Sequence, residues 1–292
     1  MLWKDKHLYA ELRHFIRMEV IRPIRRLRTL RKWKRTSFAN LPVIFGNSMP
    51  KSGSHLLLQI LKGMQNLGPF VETGGGPIRT ITIKGRYRPS TEVTADLRRL
   101  RPGDIGWGYL RSAPEVLEFL CRPDWVTYFI LRDPRDMLVS HVYYATDMYE
   151  GHGMHEYYQT LSMEERLKTA IQGIHKEGLS LADVRTRYDR MLGFLDHPEI
   201  LTIHFEDLIL HRESTLNVIL DHLEVGGYRL PVDRSQAVEI LGKAIDPQKS
   251  STFRKGRVGD WREHFNQEHK QLFKEIAGEL LVRLGYETNN DW

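Results

Sequence analysis

Cysteine is nearly missing from this chain: Cys121 is the only one in 292 residues. An intrachain disulfide is therefore excluded, and the chain reads as one suited to a reducing, cytoplasmic setting. Long apolar runs are missing too. No stretch approaches the ~18 residues that a membrane span needs. The amino-terminal residues lack the long apolar core and small-residue cleavage site of a secretory signal. The Walker A pattern is incomplete, because Pro50 stands where a Gly should precede Lys51-Ser52. A P-loop kinase or NTPase would also need an acid for magnesium after the 125–131 segment, and the only candidate, Asp133, sits behind Arg132. His152 and His155 have no further ligands at metal spacing, so no metal is predicted. Internal repeats and low-complexity tracts are absent.

Charge is present but unevenly spread. Residues 1–36 hold twelve Lys or Arg against three Asp or Glu, a net +9, which leaves −3 of the chain's +6 on the other 256 residues. The basic character thus belongs to the amino-terminal segment, and no nucleic-acid partner is predicted. Within residues 8–35, Leu12, Phe15, Ile16, Val20, Ile21, Ile24, Leu27, Leu30 and Trp33 alternate with Arg and Lys, and Pro23 should split any helix there. Two readings stay open: a helix packed on the domain with a solvated basic face, or peripheral contact with an anionic membrane surface. The chain divides accordingly into a basic amphipathic extension, 1–36, and one domain, 37–292.

In that domain, strand-like and helix-like stretches alternate. Residues 125–131, Trp-Val-Thr-Tyr-Phe-Ile-Leu, carry no charge and read as a strand buried on both faces. Further strands are predicted at 41–46, 78–83, 104–110 and 200–205. Helices are predicted at 91–100, 115–120, after 134, from the Ser162/Glu165 capping box through Lys176, and at 181–195, 213–223 and 233–244. A final helix carries Leu272 to Leu284 and stops at Gly285. This alternation predicts a three-layer α/β/α fold with a central parallel sheet, and a ligand site at the carboxyl ends of its strands.

The organising stretch is 41–61. An apolar run passes through Pro50-Lys51-Ser52-Gly53-Ser54 into His55-Leu56-Leu57. Small residues let the backbone close around an oxyanion, and the first helical amides have no intrahelical partner. Two other stretches offer similar donors: Arg132-Asp133-Pro134-Arg135-Asp136 through Ser140-His141, and Phe253-Arg254-Lys255-Gly256-Arg257-Val258-Gly259-Asp260-Trp261. One dianion does not need three such stretches; a nucleotide with two separate phosphate groups does.

In this order and spacing, the three stretches resemble the cytosolic-type sulfotransferases, which use 3′-phosphoadenosine 5′-phosphosulfate (PAPS). The resemblance runs from residue 41 to about 265 and implies a P-loop-like sulfotransferase fold. It implies that Lys51, Ser52, Gly53, Ser54, His55 and Leu56 meet the 5′-phosphosulfate side of PAPS. Arg132, Ser140, Phe253, Arg254, Lys255 and Gly256 would meet the 3′-phosphate, and Leu56 and Phe205 would lie against adenine. The reaction implied is sulfuryl transfer to a hydroxyl or amine of a small molecule, natural product, glycan or glycolipid, with no metal. Two departures stand out. Tyr109 occupies the place of the family's usual His base, and a neutral phenol is a poor base. Tyr109 then orients the acceptor or titrates itself, or the base is Glu72, His55, His152 or His155, or little base help is needed. The family's dimer motif is also degraded: its Lys, Thr, Val and Glu are here Arg262, Asn266, Gln267 and Gln271.

Overall fold

The computed structural model describes residues 16–82, 86–250 and 254–292. Its centre is a six-stranded parallel sheet. The strands are β1 (Val43–Ser48), β2 (Val71–Glu72), β3 (Ile78–Arg79), β4 (Asp104–Tyr109), β5 (Trp125–Leu131) and, after a separate antiparallel hairpin of β6 (Ile174–Lys176) and β7 (Leu179–Leu181), β8 (Ile200–His204). The order across the sheet is β2-β4-β1-β5-β8. β2 pairs with the start of β4 and β3 with its end.

Every position of β1 and β5 is buried. Alternation decides which core each side chain joins. Val126, Tyr128 and Ile130 face the layer containing Leu57, Ile60, Leu61, Ile219 and Leu241. Trp125, Phe129 and Leu131 face the layer containing Leu97, Leu138, Leu167, Tyr188 and Phe273. A sheet covered on both faces needs no polar alternation, which is why these strands read as continuous apolar runs. The three-layer α/β/α architecture with a parallel centre is as the sequence predicts.

Some boundaries differ from expectation. The capping box at Ser162 is present, but its helix ends at Gln172 and not at Lys176, because Gly173 adopts φ +75° and turns the chain into the hairpin. The last helix is two, Gln267–Ala277 and Leu280–Arg283, divided at Gly278 with φ +56°. β3 stops at Arg79, and Phe205 opens a helix where a strand end was predicted. Asn266 of the degraded dimer motif caps the Gln267 helix, accepting the His269 amide at 2.9 Å.

The described part of the basic segment is a helix with a π-type first stretch, Ile16–Ile21, continuing as α over Arg22–Lys32; Pro23 does not split it but stands at the change from π to α, where the regular ladder is already interrupted. This helix is fastened to the sheet edge. Arg22 and Arg26 both reach the carboxylate of Asp104, which is 0% exposed, Arg26 at 2.6 Å. Arg25 reaches Glu72 at 3.1 Å. Removing one member of a buried ion pair strands the other, at about 3–5 kcal/mol. Asp104→Ala is expected to lower unfolding free energy by about 3 kcal/mol in urea titration; an unchanged midpoint would show that the helix is not held this way.

Candidate active site

At the carboxyl ends of β1, β4 and β5 lies a cleft of about 460 Å³. Its floor is the turn between β1 and the Ser54–Gly63 helix. Lys51 and Gly53 both hold left-handed backbone, φ +67° and +92°. Such a conformation suits Gly and strains Lys, a cost found at functional turns. A Cβ on Gly53 would stand 2.6 Å from the Phe205 ring, so only Gly lets that ring close on the loop. The first backbone bond of the helix runs from the Leu57 amide to the Gly53 carbonyl at 3.0 Å. The amides of Ser54, His55 and Leu56 thus precede it, at the positive end of the helix dipole.

The three distant stretches meet here. Lys51, Gly53, Ser54, His55, Leu56, Arg132, Ser140, Phe205, Arg254, Lys255, Gly256 and Arg257 all line the one cleft. Arg132 lies over the Phe205 ring, 4.5 Å from its centroid, and donates to the Arg257 carbonyl at 2.8 Å. Ser52 lies beneath the turn, fully buried. Phe253 falls outside the described residues.

One side of the cleft is mainly apolar, with Leu56, Phe205, Ile209, Ile245 and Pro247. The other carries Pro77, Arg79, Trp107, Tyr109 and Tyr144. Lys51 points at the second side, its ammonium 3.8 Å from the Tyr144 centroid. The Tyr109 hydroxyl donates to Ser54 Oγ at 3.0 Å, and Arg79 lies 4.7 Å from the Tyr109 ring centroid. Arg79 and Pro77 were missed in the sequence, whereas Tyr144 belongs to the Tyr-rich 141–159 segment. Tyr144 alone had a signal, standing four residues after Ser140 on one helix face.

The electrostatics favour an incoming anion. Burial, with Arg132 and Arg254 nearby, lowers the Lys51 ammonium to about 8. No carboxylate pairs with Lys51 among the described residues, and Arg132 Nε and Ser52 Oγ are buried without a hydrogen-bond partner. A set of cations and orphaned donors fits a polyanion supplied from outside.

The remaining base candidates are placed differently. Glu72 does not line the cleft; its carboxylate takes Arg25 at 3.1 Å and Lys62 at 3.4 Å. His152 Nδ1 accepts the Met154 amide at 3.1 Å and His155 Nδ1 donates to the Ala145 carbonyl at 2.9 Å, neither on the cleft wall. His55 is on the wall, and burial, then Lys51 and Lys62, lower its pKa. Asp133, the acid a magnesium site would need, is occupied by Arg135 at 2.7 Å. Away from the cleft, Cys121, His197 and Glu199 bring ligand-type atoms within 4.8 Å of one another, ahead of β5 and β8 at the opposite sheet end. No helix among the described residues is long and apolar enough to cross a membrane.

The Gly-Asp-Trp signature works behind the cleft. The Gly259 and Trp261 amides both donate to Asp136 at 2.8 Å. Asp260 pairs with Arg254, and with Lys255 at 3.4 Å. Arg135 is held between the Trp261 and Trp292 rings, at 4.0 and 4.5 Å.

Residues 122–285, more than half of the chain, match the sulfotransferase domain family. A curated relative, the 3-alpha-hydroxysteroid sulfotransferase of Cavia porcellus, is 25% identical over 171 residues, a match covering 53% of this chain and 55% of the relative's length. The fold is similar to that of mouse sulfotransferase SULT7A1 complexed with PAP (TM-score 0.56, 20% identity, 84% of this chain and 87% of that one). It is also similar to retinol dehydratase in complex with retinol and PAP (TM-score 0.56, 16% identity, 82% of each chain).

Because Lys51 is lowered to about 8, its charge is lost as pH rises through that value. The affinity of the free protein for adenosine 3′,5′-bisphosphate is expected to fall above pH about 8 and to hold level in Lys51→Arg, as read by calorimetric titration. A decline identical in the two proteins would exclude Lys51 as the titrating group.

Proposed function

Since the chain belongs to the sulfotransferase domain family, we propose that it transfers the sulfuryl group of PAPS to a hydroxyl or amine of a small, partly aromatic or apolar acceptor. The observation that carries this reading is the meeting of Lys51, Arg132 with Ser140, and Arg254 to Arg257 on one cleft. Cations from three remote stretches suit a ligand with two separated phosphate groups. When bound, PAPS supplies the activated sulfuryl group. Lys51, Ser54 and the adjoining amides would hold its 5′ end, and Arg132, Ser140 and the 254–257 stretch its 3′-phosphate. Phe205 and Leu56 offer apolar surface to the base. A bound polyanion also favours the charged form of Lys51.

The ammonium of Lys51 neutralises charge as it grows on the departing oxygen, an effect strongest in a site shielded from water. The Tyr109 hydroxyl donates to Ser54 and presents its lone pairs to the acceptor, which it orients. His55, with its pKa lowered, is neutral at physiological pH and takes the acceptor's proton as the new bond to sulfur forms. Glu72, bound to Arg25 and Lys62, holds the sheet edge and does not serve as the base. The acceptor wall of Trp107, Tyr109, Tyr144 and Pro77 favours a flat or apolar molecule over a flexible glycan.

Lys51→Ala and Arg132→Ala are each expected to lower labelled-sulfate transfer by about two orders of magnitude or more; undiminished transfer in either would overturn the assignment. Of the acid–base variants, His55→Asn should lower kcat by about 100-fold and remove the acid limb of the pH profile, which lies below the ordinary histidine range. Tyr109→Phe should cost about tenfold and leave that limb in place. The reverse pattern would make Tyr109 the proton acceptor.

A further inference from the structure

The Ile16–Lys32 helix is arranged inside out. In a surface helix the apolar stripe normally faces the core and the charges face water. Here Arg22, Arg25 and Arg26 point inward, onto Asp104 and Glu72. Ile16, Val20, Ile21, Ile24 and Leu27 point outward, Leu27 at 59% exposure. Their spacing places them along one face for roughly 16 Å of helix. Interleaved with them are exposed Arg17, Arg28, Arg31 and Lys32, none paired with a carboxylate among the described residues, and Glu19 is the one exposed acid from residue 16 to 36.

An exposed row of this kind marks a contact surface, and its charge says with what. A second copy of the chain would bring two like-charged faces together. An anionic lipid surface supplies apolar depth for the isoleucines and leucine and headgroups for the arginines. The balance elsewhere agrees, since residues 37–292 carry a net −3 and the positive potential is local to this segment. We propose that the outward face of the Ile16–Lys32 helix docks on a bilayer rich in anionic headgroups, with the inward arginines fixing the orientation of the domain on it. Gly74 fits this geometry: a Cβ there would stand 2.9 Å from Arg25, so the docked helix also abuts the loop leading to the Pro77 and Arg79 wall of the cleft.

The test is sedimentation of the full chain with vesicles of phosphatidylcholine alone, or with about 30% phosphatidylserine. The parent is expected to bind the anionic vesicles, more weakly as salt is raised, and to leave neutral vesicles largely unbound. Ile24→Asp/Leu27→Asp and Arg28→Glu/Arg31→Glu should each weaken partitioning by about tenfold or more. Both variants should bind adenosine 3′,5′-bisphosphate like the parent, which reports that they are folded. No binding to anionic vesicles, or binding unaffected by either double variant, would overturn the proposal. So would a dimer in sedimentation velocity that Ile24→Asp/Leu27→Asp dissolves, since a second copy would then be what covers the face.

Discussion

The carboxylate of Asp136 joins the two halves of the cleft surface. It accepts the amides of Gly259 and Trp261, which stand more than 120 residues away in sequence, and faces the Arg132 guanidinium at 3.4 Å. Burial pushes the Asp136 carboxyl up, while Arg132 and the two amides pull it down. A buried acceptor in that position has no water to turn to, so the 254–261 stretch stays where its amides satisfy it. Arg135, between Trp261 and Trp292 and bound to Asp133 and Glu287, clamps the same junction from the other side. Because this junction is built from directional hydrogen bonds, it fixes the distance between Arg132 and the 254–257 backbone.

The other half of the cleft depends on backbone strain. Left-handed Lys51 and Gly53 hold the turn against the Phe205 ring, and the ring in turn lies under Arg132. Two rigid devices, the strained turn and the Asp136 junction, therefore share Phe205 and Arg132 as their contact. Of the cations they expose, Lys51 has no carboxylate partner among the described residues, whereas Arg132, Arg254 and Lys255 draw on Asp136 and Asp260. Such a site is preorganised for an anion and little reorganisation is needed when one arrives.

The carboxylates around the cleft serve its framework and do not line it. Asp104, Asp133, Asp136 and Asp260 are buried and paired with Arg or with backbone amides, and they serve architecture. Glu72 belongs with them in practice, since Arg25 and Lys62 occupy it. That leaves the cleft wall with histidine, tyrosine and cations as its titratable groups.

Period-2 burial, apolar continuity and capping residues are local properties. The sequence alone therefore determined the layers, the parallel strands, the capping box at Ser162 and the turn at Lys51. Gly-Asp-Trp and its companion stretches were legible as one signature for the same reason, since each is a short run of fixed chemistry. What each residue does was a different matter. Gly173 and Gly278 end helices that periodicity alone would have carried on, because a single left-handed residue outweighs several apolar ones. Which carboxylates are free, which histidine reaches the cleft, and which way an amphipathic helix faces were decided only by tertiary structure. Those answers depend on partners more than 45 residues apart, such as Arg25 with Glu72 or Arg22 with Asp104, and no local pattern carries a distance through space.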